Sequence, residues 1–133
     1  LESGCFINRH DCGKCEQFIE DWLDIGVRAW NPAQVSNDLV GIKKKYGDRL
    51  AIEGGWDSQG WSARAESGTI DKKELRDALV EYVYTFAPGG GFVFAAGVGM
   101  PGPNPDEKAK YWRDYIVDFY NDYARDWYKN HAH

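Results

Sequence analysis

Lys45–Asp57 reads KYGDRLAIEGGWD, and this stretch decides the fold. Lys45 and Tyr46 end a helical segment, and Gly47-Asp48 makes a tight turn. Leu50, Ala51 and Ile52 form an apolar run too short for a helix and bounded by turn residues on both sides. Leu50–Glu53 therefore reads as a short buried strand. Gly54-Gly55 lets the backbone leave it in conformations that a side chain forbids. Trp56 and Asp57 follow at once, and a polar residue just past a buried parallel strand stands where α/β proteins place their chemistry.

The same plan recurs outward in both directions. Upstream, Val27–Trp30 is a strand ended by Asn31-Pro32, where proline stops ladder pairing. Ser36 or Asn37 caps a helix running to Tyr46, with Leu39, Val40, Ile42 and Tyr46 as its apolar face. Before it, Gly4–Asn8 reads as a strand that buries Cys5, and Arg9–Gly13 as a polar loop. Glu16–Ile25 is a helix on the spacing of Phe18, Ile19, Trp22, Leu23 and Ile25, with Gly26 as its C-cap. Downstream, Ser58–Ile70 reads as a long Gly- and Ser-bearing loop of the kind that carries function. Thr69 or Asp71 then starts a helix with Leu75, Ala78, Leu79, Tyr82, Val83 and Phe86 as its buried stripe. Phe92–Ala96 is the fourth strand and Gly97–Pro105 a turn. A last helix runs from Asp106 towards Lys129, laying Trp112, Tyr115, Ile116, Phe119, Tyr123 and Trp127 against the sheet. His131 and His133 read as tail.

Strands separated by helices imply a parallel sheet with right-handed crossovers. Two architectures fit: a small open sheet, or part of a (β/α)8 barrel. A whole barrel takes about 250 residues, and four βα units in 133 residues make half of one. At this length a single domain, 1–133, is the default. The net charge of -5 and the lack of a Lys/Arg cluster beyond the helix-end run Lys43–Lys45 argue against nucleic acid. A mean hydropathy of -0.61 and the lack of a long apolar run argue against a membrane span or signal peptide. Three cysteines, Cys5, Cys12 and Cys15, are no disulfide framework and suit a reducing cytoplasm. No Gly-x-Gly-x-x-Gly loop follows the first strand, which weakens dinucleotide binding.

The strand exits carry the candidate chemistry: His10, Asp11, Cys12 and Cys15; Asn31 and Gln34; Trp56, Asp57 and Gln59; and Gly97–Met100. His10-x-Cys12-x-x-Cys15 offers an imidazole and two thiols, the nitrogen and sulfur donors that zinc takes tetrahedrally. Loop packing accounts for a His and a Cys at a strand end equally well, and Cys15 can point into the helix instead. Asp57 is the candidate catalytic residue, as base or substrate anchor, with a helix cap as the plain alternative. Asn31, Gln34, Trp56 and Gln59 are the candidate substrate contacts.

Four segments resemble one known family in order and spacing: Arg9-His10-Asp11-Cys12-Gly13, Gly26–Pro32 with Gln34, Leu39–Asp57, and Ala87-Pro88-Gly89-Gly90-Gly91-Phe92-x-Phe94. Together they resemble the C-terminal half of the uroporphyrinogen decarboxylase superfamily, which includes corrinoid-dependent methyltransferases. The resemblance implies the last four βα units of a (β/α)8 barrel. It implies methyl transfer through a metal-activated thiol, with zinc on His10 and Cys12 and a corrinoid carried by a partner protein. The third ligand of that family falls at or near Val98, which cannot coordinate; Cys15 is the substitute. Metal-free decarboxylation of a porphyrinogen or related carboxylated substrate is the alternative. A third reading is an inactive half-barrel whose open edges pair with a second copy or an N-terminal half.

Overall fold

Strands β1 (Ile7–His10), β2 (Val27–Ala33), β3 (Ala51–Gly54) and β4 (Phe92–Val93) form one sheet in a computed structural model that describes residues 4–98 and 107–131. The strand order is β1-β2-β3-β4 and every neighbouring pair is parallel. A 3-10 turn, Glu16–Phe18, leads into α1 (Ile19–Asp24), and α2 (Leu39–Tyr46) joins β2 to β3. Two helices, α3 (Ser58–Ser67) and α4 (Lys72–Phe86), lie between β3 and β4 in the chain. After β4 come α5 (Glu107–Phe119), a π-turn (Tyr120–Ala124) and α6 (Trp127–Asn130). The chain is thus an α/β protein with an all-parallel sheet, as its alternating pattern predicts. Among the described residues no helix is long and apolar enough to cross a membrane.

The described residues fall into two units: one takes in the chain up to Gly55 with Thr85–Ala95, the other Trp56–Tyr84 with the described residues from Ala96 on. The core of the first is built on β2 and β3, where Trp30 and Ile52 are paired neighbours and both fully buried. Trp22 of α1 packs on Trp30 with ring centres 5.6 Å apart, and Ile19, Leu39 and Ile42 close the helical layer. Gly54 is required here. A Cβ on it would collide with the Ala33 backbone at 2.5–2.7 Å, so only glycine permits β3 to end against β2.

Several boundaries differ from the sequence reading. β1 starts at Ile7 rather than Gly4, and Cys5 is exposed, not buried. Cys5 read as buried because it is small and apolar, but it precedes the first ladder pair, Ile7 with Val27, and is left exposed, as Phe6 is. β2 does not stop at Asn31-Pro32; it runs to Ala33 through a cis Asn31–Pro32 bond. The ladder accommodates the missing proline N–H by an irregularity between Trp30 and Ala33. Asp38, not Ser36 or Asn37, caps α2, accepting from Gly41 N at 3.1 Å, and Val40 faces outward. β4 holds two residues rather than five.

In the second unit the largest difference is α3, which occupies the segment read as a loop. Asp57 caps it by accepting from Gly60 N at 3.0 Å, and Gly68 ends it in the left-handed conformation at φ 69°. Asp71, the second of the two predicted starts, precedes α4 and accepts from Glu74 N at 3.0 Å. Leu75, Leu79, Tyr82 and Val83 are buried along α4 as its period requires. The single predicted C-terminal helix is broken at the π-turn, yet Ile116, Phe119 and Trp127 are buried on either side of it.

Candidate functional site at the ends of the first two strands

β1 and β2 end side by side, with His10 opposite Asn31 in the ladder. Their side chains meet: His10 Nδ1 lies 2.7 Å from Asn31 Oδ1. An amide oxygen accepts, so Nδ1 donates in this contact and Nε2 takes no part in it. The exposed ring is thereby aimed, with one nitrogen available to a proton, a substrate or a metal. Cys12, two residues on, is also exposed. Arg9 pairs with Asp11 at 2.9 Å and stacks over Trp22 at 5.7 Å, so neither charge of the pair is unaccompanied at this rim.

The loop that follows β1 is held from the β2 side. Trp30 Nε1 donates to Asp11 O at 2.9 Å, and Gly13 N donates to Gln34 Oε1 at 2.6 Å. Asn37 Nδ2 donates to Gly13 O and to Gln34 O at 2.8 and 2.9 Å, while its Oδ1 accepts from Cys15 N at 2.9 Å. Gln34, predicted as a substrate contact, thus clamps the loop. Asn37 is the residue the sequence reading missed, because it was read as a cap. Its partners lie as many as 24 positions away, beyond any local pattern.

Cys15 is turned inward. It is 2% exposed, and its Sγ donates to Cys12 O at 3.3 Å and Gly13 O at 3.5 Å. Burial pushes its thiol above the ordinary cysteine range; the charges of Asp11 and Cys12 add to this and Arg9 opposes it. A buried, protonated thiol is poorly placed as a ligand. Among the described residues no three His, Cys, Asp or Glu side chains are grouped to hold a metal ion. His10 and Cys12 offer two donors, one fewer than the three protein ligands of a catalytic zinc.

The remaining candidates belong to the second unit. Asp57 Oδ1 caps α3, and Gln59 is exposed in the first turn of that helix. Trp56 is packed rather than presented: it stacks on Trp61 at 5.5 Å, meets Tyr82 edge-on, and donates from Nε1 to Gly97 O at 2.9 Å. Val98 is buried, and Gly99 and Met100 lie outside the described residues. His131 is no loose tail: it stacks on Trp127 at 4.4 Å and shares a 2.8 Å hydrogen bond with Tyr84 Oη. His133 lies outside the described residues. Compared with protein-family models, curated proteins and solved structures, the chain matches none.

Proposed function

We propose that the chain is the C-terminal half of a (β/α)8 barrel enzyme of the uroporphyrinogen decarboxylase superfamily, acting in corrinoid-linked methyl transfer. The strand order supports the barrel: sequential, all-parallel strands are what consecutive barrel units make, whereas a doubly wound sheet reverses its order at a switch point. The observation that carries the site is the His10–Asn31 contact at the C-terminal ends of β1 and β2. Asn31 holds the His10 imidazole through Nδ1, and Cys12, two residues on from His10, is exposed. His10 and Cys12 would hold zinc as two of the three protein ligands that a catalytic site takes. Held by His10 and Cys12, zinc would lower the pKa of an incoming thiol, which would accept a methyl group from a corrinoid protein. Gln34 and Asn37 keep the Cys12-bearing loop in place.

The two-donor set favours a second reading, metal-free decarboxylation of a carboxylated substrate such as a porphyrinogen. In that reading His10 Nε2 takes or gives the proton. Zinc analysis separates the two. One zinc per chain, lost in His10→Ala, is expected for methyl transfer; zinc-free protein whose turnover is indifferent to EDTA would establish the second reading and refute the first.

A further inference from the structure

We propose that Cys12 and Cys15 form a redox-active dithiol that closes to a disulfide by exchange with small disulfides of the glutathione type. The sequence Cys12-Gly13-Lys14-Cys15 is a C-x-x-C between a parallel strand and the helical turn that opens the next crossover. In a βαβ setting this spacing reads as a redox pair. The structure divides the labour between the two thiols. Cys12 is exposed and open to attack an external disulfide; Cys15 is 2% exposed and can reach only its own loop. The buried sulfur lies 3.3 Å from the carbonyl oxygen of Cys12 itself, so the second thiol already sits against the residue it must meet. Gly13, at φ 86°, folds the loop back on itself. Gln34 and Asn37 grip Gly13 and the Cys15 amide, so the backbone between the two thiols is held from the β2 side. The third thiol, Cys5, precedes β1 and is separated from the pair by that strand.

The exchange balances. The Cys12 thiolate attacks one sulfur of the small disulfide and expels one thiolate, leaving a mixed disulfide on Cys12. Cys15 attacks the Cys12 sulfur and expels the second thiolate, which takes up the proton that Cys15 loses. Two protein thiols are oxidised by two electrons, and one disulfide is reduced to two thiols. Nothing in this requires either activity proposed above.

The test uses the Cys5→Ser chain in a series of reduced and oxidised glutathione buffers with EDTA present, so that metal binding plays no part. Free thiols are blocked with a maleimide and counted by mass. Both remaining thiols are expected to disappear together and to return with dithiothreitol. Cys15→Ser is expected to accumulate glutathione on Cys12 at least about tenfold over the parent in the same buffer, since nothing expels it; Cys15→Ala repeats the measurement with a different substitute at the buried position. Two free thiols in the most oxidising buffer, or an adduct on Cys12 that is equally abundant with and without Cys15, would overturn the proposal.

Discussion

Buried Asn37 ties together three backbone groups: the carbonyls of Gly13 and Gln34 and the amide of Cys15. Removing its side chain leaves the amide of buried Cys15 without that acceptor, at about 1–3 kcal/mol for a buried group left unsatisfied. Asn37→Ala should therefore lower unfolding stability by that order in urea titration, and a variant as stable as the parent would show the clamp to be idle. His10 and Asn31 were each legible in the sequence as polar residues near strand ends. Their contact was not, because it depends on the register of β1 against β2, and β1 begins three residues later than its apolar pattern suggests. Cys15 was legible as a sulfur donor near His10. Only packing shows that its thiol faces inward to backbone carbonyls.

At the scale of elements, α2 and α3 start with one device. Asp38-x-x-Gly41 and Asp57-x-x-Gly60 place a carboxylate over the amide three residues on, and a Cβ at either glycine would strike that carboxylate. Asp57→Ala should cost about 1 kcal/mol of stability, as loss of a cap does, while Asp57→Asn keeps most of it. Thermal unfolding of the two variants beside turnover separates cap from catalyst. An Asp57→Asn protein that is stable and fully active would remove Asp57 from the chemistry. The Asp-x-x-Gly signal was present in the sequence, but α3 was still read as a loop. Helices are found from apolar period, and α3 buries only Ala65 within it. The stripes of α1 and α4 are strong, and those helices were legible.

At the scale of the molecule, β1 and β4 each pair on one side only among the described residues. Open parallel edges offer unpaired N–H and C=O groups to another chain. The chain should therefore self-associate with rising concentration in sedimentation equilibrium, through a second copy where a complementary half-barrel is absent. A single monomeric species up to the highest concentration reached would end that expectation. The order of residues by itself determined the α/β class, the alternation of elements and the parallel direction of the strands, because turns, caps and apolar periods act over a few positions. Only the tertiary structure decided that His10 meets Asn31, that Gln34 and Asn37 grip the Cys12–Cys15 loop, and that Trp56 is packed. Those contacts join residues 20 or more positions apart or rest on burial, and no local pattern encodes which distant partner a side chain will find.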